Sequence, residues 1–135
     1  KYVNKHSETI RSRNAEPILF MSWPYKNRPK MQDALEKEFF KASKLNNLRM
    51  VPAGQAFLHI NQNFPNINLY TEDLRHPSKE GTYLAALMIF TTLSNKSPID
   101  NAYTMNLDPK VAKTLQKVAW MTHEKFQKKL ANSSL

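Results

Sequence analysis

The segment Gly81-Thr-Tyr-Leu-Ala-Ala-Leu-Met-Ile-Phe-Thr-Thr-Leu93 has the length of a helix and is apolar on nearly all of its sides. A surface helix keeps a polar face, so a helix without one has to be covered from several directions. The rest of the chain must supply that cover, and Met88 and Phe90 are expected in the core. Candidate covering elements follow from the periods of the apolar residues. Ile18-Leu19-Phe20-Met21 is a short apolar run without alternation, the pattern of a strand buried on both faces. Met50-Val51-Pro52-Ala53-Gly54 reads as a second short strand turning into a loop. Met31, Ala34, Leu35, Phe39, Ala42 and Leu45 recur at three- and four-residue steps, which predicts an amphipathic helix over 31–46. Residues 1–14 carry a looser helical pattern ended by Glu16-Pro17. Gln55 to about Asn63 predicts a short helix stopped by Phe64-Pro65. Asp108-Pro109 opens a last helix, with the Asp as cap and the Pro in the first turn. Val111, Leu115, Val118, Thr122, Phe126 and Leu130 line one of its faces, with Trp120 and Phe126 expected in the core and the tail from Ala131 frayed.

Strand, helix, strand, helix is the order of an open parallel α/β sheet. Two strands alone leave faces and edges uncovered, so the pattern implies further strands outside these residues. Sites in such sheets lie beyond the C-terminal strand ends. Trp23, after the first strand, and the loop of residues 66–76 both fall there. Trp23 is a candidate wall of a substrate pocket, with packing beside Pro24 and Tyr25 as the alternative.

The chemistry concentrates in Asp73-Leu74-Arg75-His76-Pro77-Ser78. An Asp three residues before a His, on a turn, folds back to accept the Nδ1 proton. That fixes the tautomer and leaves Nε2 free as a base, the arrangement of a Ser-His-Asp hydrolase. Pro77 holds His76 extended, so the His ends a loop. Ser78 then caps the following helix. Unaided, the spacing is weak as a catalytic signal and is more often that of a loop-stabilising hydrogen bond. Arg75 has two readings as well, a contact for an anionic substrate or a residue facing water.

The longer string LYTEDLRHPSKEGTYLAALMIFTTLSNKSP resembles the last conserved block of the SGNH (GDSL-like) hydrolases, in which Asp-x-x-His-Pro-Ser, a Gly and a Tyr-Leu-Ala-Ala helix follow in that order. ILFMSWPYK, MVPAGQAF and LDPKVAKTLQKVAW are similar to other segments of that family, so the likeness runs from about Glu16 to Phe126. It implies part of a flavodoxin-like, three-layer α/β/α parallel sheet lacking its N-terminal strands, the whole of 1–135 being the C-terminal part of one hydrolase domain. It implies an acyl- or acetyl-esterase-like activity on a small-molecule or carbohydrate ester, with Asp73 and His76 catalytic and no cofactor or metal. One departure matters: the family's Gly-x-Ser nucleophile has no counterpart, since neither Gly54 nor Gly81 stands in such a motif. The chain also opens at Lys1. The expectation is therefore a nucleophile outside this chain, and no esterase activity from the chain alone. Ser22 also follows a strand, but it has no neighbouring Gly to permit a tight exposed turn.

Composition narrows the alternatives. The net charge of +9 gathers at the ends: seven Lys/Arg face two acids in residues 1–30, and six face two in 108–135. Such a surface can attract phosphates. The C-terminal lysines, however, alternate with apolar positions at helical spacing, which is the pattern of a solvated helix face. No nucleic-acid partner is expected. No apolar run reaches the roughly 18 residues of a membrane span. His6, His59 and His123 lie in separate elements without ligand spacing, and no Cys is present, so no metal is expected. Nothing in these residues fixes a compartment. The competing reading is a non-catalytic interaction module that pairs through an open sheet edge.

Overall fold

The computed structural model describes residues 1–132. The element order is α1 (Tyr2–Arg11), β1 (Ile18–Phe20), α2 (Met31–Asn46), β2 (Arg49–Val51), α3 (Ala53–Asn63), α4 (Lys79–Ser94) and α5 (Pro109–Asn132). Local chemistry sets the ends of these helices. Ser78 caps α4 through Oγ, which accepts from the Gly81 amide at 3.1 Å. Asp108 caps α5, its Oδ1 accepting from the amides of Lys110 at 2.9 Å and Val111 at 3.1 Å. Asn47 and Asn95 end α2 and α4 in the left-handed conformation that asparagine tolerates. The Arg11 guanidinium, reaching from α1, donates to the carbonyls of Asn46 and Asn47, both at 2.9 Å. Asn132 is still helical, so the fraying expected from Ala131 is not seen in Ala131 and Asn132; residues 133–135 lie outside the described residues.

The main core lies where α3, α4 and α5 meet. Phe57, Ile60, Leu84, Met88, Leu115 and Ala119 are buried there, together with Leu69 and Tyr70 from the loop before α4. A smaller cluster of Met21, Met50 and Phe126 packs with Leu19, Phe39, Phe40 and Leu130. The strands divide their side chains by the two-residue alternation of a pleat: Ile18 and Val51 join the first cluster, Leu19 and Met50 the second.

The three-layer α/β/α sheet implied by the family likeness is contradicted. Among the described residues the sheet has two parallel strands of three residues each, against five helices. The register is Ile18 to Arg49, Leu19 to Met50 and Phe20 to Val51. After Val51 the backbone turns at once into α3, two residues earlier than the periodicity predicts, which ends the second strand. β1 is covered on both faces only in part: Ile18 and Leu19 are half-buried against the two clusters and Phe20 is 38 % exposed. A second correction falls on α4. Met88 is fully buried, but Phe90 is 39 % exposed, as are, in part, its apolar neighbours Ile89 and Leu93. Phe126 is buried as expected, and Trp120 only partly.

Both glycines sit where a helix start meets another backbone segment. A Cβ on Gly54 would stand 2.3 Å from the Ser22 carbonyl oxygen, and one on Gly81 would stand 2.2 Å from the carbonyl oxygen of Leu69. These close approaches seat the starts of α3 and α4 against the segments that carry Trp23 and His76.

Candidate acid–base site

The site is one tight loop between Leu69 and Ser78. Its ends are tied antiparallel by a bridge between Tyr70 and Pro77. The Ser78 amide donates to the Leu69 carbonyl at 2.9 Å, and the Thr71 amide donates to the His76 carbonyl at 2.9 Å. Inside this frame Asp73 acts as the organising acceptor. Its Oδ1 accepts the amides of Arg75 and His76, both at 2.9 Å, and the Thr71 hydroxyl at 2.8 Å. Its Oδ2 meets Nδ1 of His76. Leu74, at the tip, has φ of 61°, a region that a non-glycine residue occupies only when its neighbours hold it there. Two hydrogen bonds do so: the Leu74 amide to the Thr71 carbonyl at 3.0 Å, and the Lys26 amide to the Leu74 carbonyl at 2.9 Å.

The electrostatics assign the protons. The His76 backbone amide, the His76 ring, the Arg75 amide and the Thr71 hydroxyl together hold the Asp73 carboxyl well below the usual carboxylate range. At neutral pH Asp73 is therefore ionised and only accepts. Nδ1 of His76 must carry the proton, which leaves the lone pair of the neutral ring on Nε2. The His76 side chain is 79 % exposed, and no described residue hydrogen-bonds Nε2. The imidazole is thus oriented by an acid at Nδ1 and open to solvent at Nε2.

A second segment, residues 23–26, carries this loop. The Trp23 indole N–H donates to the Arg75 carbonyl at 2.9 Å. Its ring stacks on the fully buried Phe57, centroids 4.2 Å apart and planes 6° from parallel. Phe57 meets Tyr70 edge-on at 5.8 Å. The Tyr70 hydroxyl donates to the Pro24 carbonyl at 2.8 Å and accepts from Asn61 at 3.1 Å, and burial raises its pKa. The Lys26 ammonium donates to Asn68 at 2.8 Å, and the Arg75 guanidinium lies 4.9 Å from the centroid of the Tyr25 ring. A cavity of about 340 Å³ opens beside Lys26, between Pro29, Ile67 and the α3 residues Leu58, Asn61 and Gln62. Trp23 is not among its lining residues.

The structure brings Asp73, His76 and Trp23 together. Ser22 precedes Trp23 but makes no hydrogen bond with His76. The Ser78 hydroxyl is taken up by its cap and by the Asn68 carbonyl at 2.8 Å and Glu80 at 2.9 Å. His6 is exposed on α1, while His59 is half-buried on α3. His123 is buried on α5, with Nε2 donating to Asn95 Oδ1 at 2.8 Å. Among the described residues no group of three or more His, Asp or Glu could hold a metal ion, and no helix is long and apolar enough to cross a membrane. Sequence reasoning missed Thr71, whose hydroxyl position next to an Asp turn was the available signal, and the indole-to-carbonyl bond, for which a separation of 52 residues leaves none. No family model, curated protein or solved structure matches the chain.

Proposed function

We propose that Asp73 and His76 are the acid and base of a serine hydrolase of SGNH type acting on ester bonds, with the nucleophilic serine supplied from outside this chain. The observation that carries the reading is the orientation of His76: Nδ1 is held by the ionised Asp73 and Nε2 is open to solvent. In this reading Nε2 takes the serine proton as the hydroxyl attacks the ester carbonyl, then returns it to the leaving alcohol. Asp73 stays ionised throughout and stabilises the imidazolium. Water repeats the sequence on the acyl-enzyme. The substrate is a small-molecule or carbohydrate ester.

Among the described residues no strand pairs with the second edge of β1, and with the partly exposed Phe20 beside it this supports a further segment or chain that completes the site. The same surface favours the competing reading, a non-catalytic module in which the Asp–His pair only braces a loop. One experiment separates the two. The natural gene product is purified, its intact mass is compared with 15.7 kDa, and its turnover of an activated acetyl ester is measured with and without His76→Ala. The hydrolase reading expects a fluorophosphonate-labelled serine outside residues 1–135 and a loss of about 10²–10⁴-fold on His76→Ala. Unchanged turnover, or none with no labelled serine, leaves the bracing role.

A further inference from the structure

We infer that Trp23 is a positioning residue for His76, a role that rests on reading Asp73 and His76 as an acid–base pair. Asp73 fixes the His76 ring relative to the loop, through contacts that all lie between Thr71 and His76. None of them fixes the loop relative to the rest of the protein. That second task falls at the tip to two bonds from the segment after β1, which grip consecutive carbonyls: Lys26 N–H to Leu74 and Trp23 Nε1–H to Arg75, both at 2.9 Å. Only the second comes from a side chain anchored in the core. The half-buried indole lies flat on Phe57, which is fully buried on α3, so packing against the core sets the plane of the ring.

The line Phe57–Trp23–Arg75 carbonyl therefore sets where the exposed His76 ring points. Arg75 is the residue directly before His76, so a shift of its carbonyl rotates the shared peptide plane and swings the imidazole. The demand on that placement is strict, since a misplacement of about 1 Å lowers rate on the order of 10²-fold. Trp23 meets the reaction through another residue and need not touch the substrate. This separates it from a pocket wall, whose loss weakens binding.

Trp23→Phe tests the role, because phenylalanine keeps an aromatic ring against Phe57 and removes the N–H. In the natural gene product the expected result is a kcat lower by roughly 10²-fold with KM unchanged. The Nδ1–H tautomer of His76, set by Asp73 within the loop, should be kept, while the ring ¹H and ¹⁵N shifts change as the loop moves against the protein. A raised KM with unchanged kcat would identify a pocket wall and overturn the inference, as would unaltered His76 ring shifts. If Trp23→Phe does not fold, the unsubstituted protein still decides: its Trp23 Nε1–H should exchange slowly with solvent, and free exchange overturns the inference. The underlying reading fails separately. A His76 ring that shows mixed tautomers before any substitution, or activity that survives His76→Ala, refutes the acid–base pair itself.

Discussion

Gly81→Ala sets two well-understood effects against each other. In a helix, alanine is better than glycine by at most about 1 kcal/mol, and less in the first turn, where Gly81 sits. Helix propensity alone therefore predicts a small gain in stability. Against it stands the carbonyl oxygen of Leu69, 2.2 Å from the new Cβ, with the Pro77 Cβ at 3.0 Å. Ordinary contact begins near 3.4 Å, so the two backbones must part by more than 1 Å. They are poorly able to do so. That same carbonyl accepts the Ser78 amide at 2.9 Å, and Leu69 is fully buried. Forcing a methyl into such a contact costs about 1–3 kcal/mol, and the depth of this overlap puts it at the upper end. The net expectation is a loss of about 2 kcal/mol, which for a chain of this length lowers Tm by roughly 8 °C. Thermal unfolding followed by circular dichroism, with a urea midpoint at fixed temperature, measures it. A Tm equal to or above that of the parent would show that the start of α4 is not wedged against the loop, and the account of the loop's seating would fall.

Other perturbations probe the site and the core. Asp73→Asn removes an ionised acceptor from three N–H groups and a hydroxyl; in the natural gene product ester turnover should fall by about 10²–10⁴-fold with little change in Tm, and unaltered turnover argues against a catalytic pair. The pH dependence of the loop follows from the direction of the Asp73 shift. Its folded carboxyl titrates below its unfolded value of 3.8, so its contribution is fully present above that pH and is lost as pH falls through the lower, folded value. The downfield Nδ1–H signal of His76 should thus persist through pH 4, and its loss near pH 5 would contradict the hydrogen-bond pattern. His123 works in the same direction at higher pH. Burial lowers its pKa, so the neutral ring is favoured in the fold and stability declines as pH drops below 6.5, by at most about 1.4 kcal/mol per pH unit. His59 is also lowered by burial, so His123→Gln should flatten the urea midpoint between pH 7.5 and 5.5 only in part; no flattening at all removes His123 as a cause. Phe57→Ala should cost about 3–5 kcal/mol and, unlike Asp73→Asn, should disturb both the core and the Trp23 indole N–H signal.

The helices were legible because local chemistry decides them. Met31–Asn46 matches the three- and four-residue spacing of Met31, Leu35 and Phe39, and Ser78 and Asp108 cap as their positions before apolar runs suggest. The pair of Asp73 and His76 was legible for the same reason, since three residues on a turn suffice to bring them together. The sheet was not. A short apolar run such as Ile18–Met21 has no periodicity that tells how many neighbours it has, and Phe20 proves to be 38 % exposed. Phe90 misled in a related way. An all-apolar helix signals that its faces meet something, but α4 leaves Ile89, Phe90 and Leu93 partly exposed. Contacts between distant segments, such as Trp23 with Arg75, have no local signature at all.

The stacking of Trp120 on His123, with ring centroids 5.4 Å apart, has an optical consequence. The chain holds two tryptophans, and they stand in different chemical surroundings: Trp23 lies on Phe57 beneath the acid–base loop, and Trp120 lies against an ionisable imidazole on α5. An imidazolium quenches indole emission and a neutral imidazole does so weakly. Fluorescence lost on acidification therefore reports the charging of His123, while emission from Trp23 follows the loop. With Trp120→Phe the remaining signal becomes a built-in, label-free monitor of the segment that carries His76.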